Sequence, residues 1–344
     1  MGLFGKKGRG IITNKKFVRS NRNFSDEEIG SLQFKSNLLI KVSKIVTIIV
    51  MAAMLVYIIV WEKDALLRGN ILEQLLLIAV SVIVVGIGAN ALTYYLIAKP
   101  VEGSFWTAYR QQYLINMVKD MKGIGRVTYK EQPGLSYEEL KGSVLVLCDY
   151  DRLCRTQDCL YGDINGDDFR LTNFKAGKPK RKENGRMGEV RLFDGIIGLL
   201  NAEEKAALSK VGFVQVFSEG YSPGVAGYVG EHLFKTGNEE FDARFKIYVE
   251  KPGALEGFFN SDFMEAAENF AGSVSTPVAF SFNRGTMFFA FNDYPDIFEA
   301  RLDEEVTKQK KEVKDLIKGV QAAQSVYDAA LDFCNFGAAA IEKQ

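Results

Sequence analysis

The sequence predicts an α+β protein: an N-terminal transmembrane helical hairpin, then a soluble domain with an antiparallel sheet, peripheral helices and a long C-terminal helix. Three observations predict it. Two long apolar runs lie before residue 100. Beyond them, short runs rich in β-branched and aromatic residues alternate with turn-forming Asn and Gly. A seven-residue apolar repeat then closes the chain.

With 344 residues the chain exceeds the usual size of one compact domain, so a division is expected. Lysine plus arginine and aspartate plus glutamate number 43 each, and a net charge of zero excludes a global attraction to nucleic acid. That balance hides an asymmetry. Residues 1–44 carry ten basic residues, from Lys6 to Lys44, against only Asp26, Glu27 and Glu28. Residues 1–37 are therefore read as a basic cytoplasmic arm.

Residues 38–99 are read as two transmembrane helices at about 42–61 and 72–98. Ile45 to Val60 is free of charge, and extends back to Leu38 if Lys41 and Lys44 snorkel. The second run spans Ile71 to Ala98, with Glu73 near its entrance and Lys99-Pro100 at its exit. At ~1.5 Å per residue, about 20 residues cross a ~30 Å hydrocarbon core. A signal peptide is disfavoured, because the first run begins after residue 44 and lacks a small-residue cleavage pattern. The loop from Glu62 to Asn70 holds one lysine and one arginine, while Lys99, Arg110, Lys119, Lys122 and Arg126 follow the second run. Positive charge stays inside, so both termini are expected at the cytoplasmic face of the inner membrane. Near the inner end of the second helix, Gly86 and Asn90 are candidates for a helix–helix contact. The contact joins either another copy or the first helix.

Residues 100–134 read as an amphipathic helix, with Phe105, Tyr109, Gln112, Tyr113, Met117 and Met121 at helical spacing, and a linker. The helix lies on the membrane or packs on the domain. Residues 135–344 form the soluble cytoplasmic α+β domain. The Asn165-Gly166 pair predicts a tight hairpin turn. Further strands are read at 189–195, 213–217 and 245–249, and a final hairpin turns at Asn283-Arg284-Gly285. Short helices fit at 202–210 and 261–271. In the closing helix, about 303–333, Val306, Val313, Val320 and Tyr327 recur every seven residues.

Chemistry-bearing constellations are sparse. Cys148, Cys154, Cys159 and Cys334 lack metal-finger spacing and read as free thiols; no metal or cofactor is expected. His232 is the only histidine. Asp163, Asn165 and Asp167 resemble the start of a calcium loop, but Asp168 and Phe174 stand where glycine and a bidentate acid are needed. Gly220, Gly224, Gly227 and Gly230 lack the lysine and following helix of a phosphate loop. In the turn GNEEFDARF, Asp242 and Arg244 are a possible partner contact between Phe241 and Phe245. The polar excursion from Lys175 to Gly188 carries Lys178, Lys180, Arg181 and Lys182, a possible contact for anionic lipid.

The pieces VTYKEQPGLSYEEL, DYDRLCRTQDCLYGDINGDDFRLTNF, EVRLFDG, GNEEFDARFKIYV, SDFMEAAENFA and SFNRGTMFFAFNDYPDIFEA, in this order, resemble the bacterial family catalogued as domain of unknown function 3137. The resemblance covers most of residues 36–335. It implies a cytoplasm-facing, membrane-anchored protein of unassigned activity, and a LemA-type membrane protein as a possible partner. It carries no catalytic residue across. The resulting expectation is a membrane-anchored binding or scaffold protein, acting through protein partners or anionic lipid, and a possible homo-oligomer. Two alternatives stand beside it: a subunit of an oligomeric transport or envelope-maintenance assembly, and an enzyme using Asp149, Asp151 or Asp158.

Overall fold

The computed structural model describes residues 24–61, 71–146, 153–182, 185–201, 208–221, 232–255 and 257–341. The basic residues up to Arg22, the loop at 62–70, Cys148, Asp149, Asp151 and the glycines at 224, 227 and 230 lie outside them, as does most of the helix expected at 202–210.

Both apolar runs are helices; the first is longer than expected, and the second gives way to a π-turn before its expected end. Helix α1 spans Asp26–Trp61, and α2 spans Ile71–Thr93. Each is long and apolar enough to cross a membrane. The most apolar windows are only 6% and 11% buried, unlike core helices of a globular domain. Pro100 does not end the second helix. A π-turn at Tyr94–Ala98 precedes it, and α3 continues over Lys99–Ala108 with the proline in its first turn. The wider turn accommodates a ring that has no N–H and would crowd the carbonyl four residues back. A second π-turn, Tyr109–Tyr113, leads into α4, Leu114–Lys119.

The stretch 100–134, expected as helix and linker, is part of the domain. Phe105, Tyr109, Tyr113 and Met117 are buried in its main core, and strand β1, Ile124–Lys130, joins the sheet. Helix α5, Tyr137–Ser143, starts at a capping box in which Ser136 and Glu139 exchange side-chain and backbone bonds. Then follow β2 (Cys154–Arg155), β3 (Cys159–Ile164), β4 (Asp167–Arg181), β5 (Met187–Asn201), β6 (Val214–Ser218) and β7 (His232–Phe234). Helix α6 (Glu239–Arg244) runs straight into β8 (Phe245–Val249). Helix α7 (Ser261–Gly272), β9 (Val278–Asn283), β10 (Thr286–Asn292) and α8 (Val306–Ile341) complete the chain.

These strands build one antiparallel sheet in the order β1-β3-β4-β5-β10-β9-β6-β8-β7, with β2 pairing β4 beside β3. The turns at Asn165-Gly166 and Arg284-Gly285 have positive φ at both central residues, matching the twist of a two-residue hairpin. Alternation sends Phe280, Phe282, Phe289 and Phe291 to the face covered by α7 and α8. Ala279, Phe288 and Ala290 turn to a smaller layer with Leu135, Leu140 and Val146. The seven-residue stripe of α8 is an intramolecular seam. Val313, Val320 and Tyr327 are fully buried, and the Tyr327 hydroxyl donates to the Gly285 carbonyl at 2.8 Å.

The helices pass from their apolar span into this core without a break. On α1, Ile29 and Ser36 are buried with Gln33 between them. The Gln33 amide donates to the carbonyls of Arg301 (2.9 Å) and Leu302 (3.2 Å), and Asn37 reaches Leu302 as well. Asp26 accepts from Tyr113 at 2.7 Å and pairs with Lys310 of α8 at 2.6 Å. Replacing both amides, Gln33→Leu with Asn37→Leu, removes buried bonds of ~1 kcal/mol each. We expect amide exchange at residues 299–305 to quicken about tenfold while β9 and β10 keep their protection. Equal protection in both proteins would show that α1 does not hold this turn.

Candidate functional site

The polar chemistry of the domain concentrates where the helix from the apolar span meets the sheet. Strands β2 and β3 lie on the same side of β4, separated by Thr156–Asp158. At this break, side chains replace the ladder. The Thr172 hydroxyl donates to the Asp158 carbonyl at 2.7 Å, and the Asn173 amide oxygen accepts from the Gln157 N–H at 3.4 Å. The kink turns the Asp158 carboxylate inward, where it accepts from the Tyr129 hydroxyl of β1 and lies 3.9 Å from Arg110. Arg110 also donates to the Phe298 carbonyl at 2.8 Å and rests over the Trp106 ring. Asp296 closes the cluster, accepting from Asn173 and from the Phe298 N–H.

Burial, then the bond to Asp158, holds the Tyr129 hydroxyl well above the usual tyrosine range, so it stays a donor. Burial likewise raises the Asp296 carboxyl above 3.8, against the opposing bonds from Asn173 and Phe298. Asp158, the one described member of the carboxylate set considered for catalysis, is 4% exposed, with Tyr129 and Arg110 on one of its oxygens. A carboxylate held by a phenol and a guanidinium ties elements together. Arg110 carried only a charge count in the sequence, and the roles of Thr172 and Asn173 had no local pattern.

Gly86 and Asn90 meet the first helix. A Cβ at Gly86 would lie 2.6 Å from the Met51 sulfur, and Asn90 accepts from Thr47 at 3.4 Å. Ser43 and Thr93 bond at 2.9 Å one turn nearer the domain. A groove of about 360 Å³ lies beside this contact, with Lys44 at its rim.

Asp242 and Arg244 have separate duties. Phe241 and Phe245 are buried and stacked at 4.5 Å, as their spacing predicts. Asp242 accepts from the Thr236 N–H and hydroxyl, both at 3.0 Å, and so pins the entry to α6. Exposed Arg244 pairs with Glu268 at 3.3 Å and borders a cleft of about 270 Å³ with Ser218 and Glu219.

The excursion from Lys175 to Gly188 is a β-hairpin and not a long loop. Paired residues run out to Arg181↔Met187, and Lys178, Lys180, Arg181 and Lys182 stand exposed along β4 and at its tip. Period-2 alternation was obscured there by the density of charge. Asp163 accepts from the Arg126 N–H at 2.7 Å and Asp167 from Gln324, so both acids of the calcium-like run serve the hairpin and its neighbours. His232 opens β7 opposite Val249. Burial pushes the Cys159 thiol up to about 12, which makes it inert. A polar cleft of about 410 Å³ lies over β1, β3 and β4. Three of its charged residues have partners: Arg126 with Asp163 at 3.8 Å, and Arg170 with Glu139 at 2.6 Å.

The Asp296 shift has a sign. A carboxyl raised in the folded state contributes stability that is complete below 3.8 and is lost as pH rises through the folded value. Asp296→Asn should therefore flatten the fall in unfolding free energy as pH rises above 3.8, read by urea titrations at successive pH values. An unchanged profile would assign that fall to other groups.

No curated protein and no solved structure matches the chain. The pieces of sequence at 127–140, 149–174 and 189–195 lie outside the segment that a family model matches. That segment runs from the end of β6 into α8, and across these residues, 217–328, the chain resembles the family described as protein of unknown function (DUF3137).

Proposed function

We propose that this protein is a membrane-anchored scaffold that presents a fixed binding domain at the cytoplasmic face of the inner membrane. The observation that carries the reading is the change of environment along α1 and along the helix from α2 to α4. Their apolar windows are exposed, while their domain-side turns are core residues. Exposed apolar surface on that scale needs lipid. In this reading α1 and α2 form a transmembrane hairpin with both termini in the cytoplasm. Basic residues of the N-terminal arm outnumber those of the loop at 62–70, which supports that orientation.

A scaffold needs a rigid mount more than it needs a catalytic cleft. The ties from Gln33, Asp26 and Arg110 supply the mount by fixing the domain to both helices. The exposed Arg244 cleft and the outer strands then keep a constant height and angle to the bilayer, which suits recognition of a protein partner.

Full-length protein in native membranes provides the test. The chain should stay in the pellet after carbonate washing, and protease should reach the domain only in inverted vesicles. Cross-linking followed by mass spectrometry should join one specific protein to the domain, and Arg244→Glu should weaken that link severalfold. Release into the carbonate supernatant would refute anchoring. Cross-links confined to lipid and to other copies of this chain would refute the scaffold role.

A further inference from the structure

We propose that the tip of the β4–β5 hairpin is a second membrane contact, seated on anionic lipid headgroups beside the helical anchor. This rests on the anchored reading and adds the lipid class and the residues that meet it. The argument is one of direction and length.

From Lys99 to Lys119 the helix runs away from the apolar span, and β1 then returns. Arg110, within 3.8 Å of Glu131 just after β1, marks the level of that return. Strand β3 runs outward again, pairing Cys159 with Lys130 and Ile164 with Ile124. Strand β4 comes back, pairing Asp167 with Ile164 and Thr172 with Cys159. At Asn173 it stands level with Arg110, because Asn173 bonds Asp296 while Arg110 bonds the Phe298 carbonyl. The strand does not stop there.

From Asn173 to Lys182 the hairpin extends a further ~30 Å at about 3.3 Å per residue. Helix α3 and its π-turn cover only ~16 Å between Arg110 and Lys99 at about 1.5 Å per residue. Even inclined by about 45°, the hairpin retains ~21 Å of reach toward the apolar span. Its tip therefore arrives at the level of Lys99 and Tyr95, where the apolar helix surface begins.

The chemistry of the tip suits that level. Lys178, Lys180, Arg181 and Lys182 are exposed, and none pairs with a described acid. Other charges of the ribbon are paired: Lys175 with Asp194, Arg191 with Asp293, and Glu189, opposite Pro179, with Arg155. Among the described residues the four cations from Lys178 to Lys182 are thus left without a carboxylate. Met187, 66% exposed at the tip, is an apolar side chain for the headgroup–acyl boundary. Each basic residue near an anionic surface contributes on the order of 1 kcal/mol, and salt screens it. A nucleic-acid partner would call for interleaved aromatic rings, and the stretch from Lys178 to Met187 has none.

The test uses the full chain in lipid nanodiscs, with Met187→Trp as the reporter. Its emission is read as the difference from wild type, which has two tryptophans. Discs hold either phosphatidylcholine alone or roughly one third phosphatidylglycerol, both with brominated chains. We expect the added emission to fall by about half in the anionic discs, and to recover in high salt. The combined variant Lys178→Glu, Lys180→Glu, Arg181→Glu and Lys182→Glu should abolish the quenching. Unquenched emission from chain that is inserted in anionic discs overturns the lipid contact and leaves the anchor standing. Equal quenching in neutral discs overturns the requirement for anionic headgroups. Failure of the chain to enter discs of either kind overturns the anchor, and this contact with it.

Discussion

Backbone polar groups cannot be left unpaired in apolar surroundings, and this constraint governs everything on the domain side of the apolar span. A helix that leaves such a span is already hydrogen-bonded within itself, so it can enter a protein core without rearranging. Both long helices do so. Helix α1 places Ile29, Gln33 and Ser36 on one face, the period of a helix with one buried stripe. The second helix absorbs Pro100 with a π-turn and then buries Phe105, Tyr109, Tyr113 and Met117. Because neither helix ends where its apolar surface ends, no soft linker separates the span from the domain.

That continuity determines where polar groups must be spent. A helix packed on the end of a sheet leaves carbonyls and strand breaks facing it, and these need partners. Gln33 and Gln309 satisfy the turn at Arg301 and Glu304 from two helices at once. Arg110 satisfies Phe298 and the inward-turned Asp158. Deleting one partner from such a cluster is costlier than the same deletion at the surface, because the survivor stays buried. The cluster ties the second helix to the sheet and leaves Asp158 only 4% exposed.

Sequence made the regular elements legible and left the joint obscure. Strand β8 and the β9–β10 hairpin follow from local alternation and an Asn-Arg-Gly turn, and α7 falls where a short helix was expected. The seven-residue stripe of α8 told that one face is buried but not against what, since a coiled-coil partner and the chain's own sheet demand the same spacing. Two polar residues along the same helix, Lys310 and Gln324, make contacts of their own, with Asp26 and with Asp167 and Asp328. Asp242 and Arg244 were legible as a pair by proximity, but positions two apart on a helical turn point to different neighbours. The Asp158 cluster draws on residues from 110 to 298, a separation that no local pattern encodes.

The basic hairpin illustrates the opposite balance. Its composition was plain in the sequence, while its meaning depends on register. Were β4 to end at Phe174, where its partner β3 has already ended, the charges would lie in a loop beside the sheet. Instead β4 and β5 remain paired through a bulge between Ala176 and Gly177 and continue to Arg181↔Met187. A two-stranded ribbon outside a sheet has little core to hold it, and its own backbone ladder is a modest stabiliser. Retaining such a ribbon with four cations that pair with no described acid is costly in isolation, because like charges at close spacing repel. On the proposed anionic surface the same charges become attractive, and the ribbon's ~30 Å exceeds the ~16 Å of helix between Arg110 and Lys99.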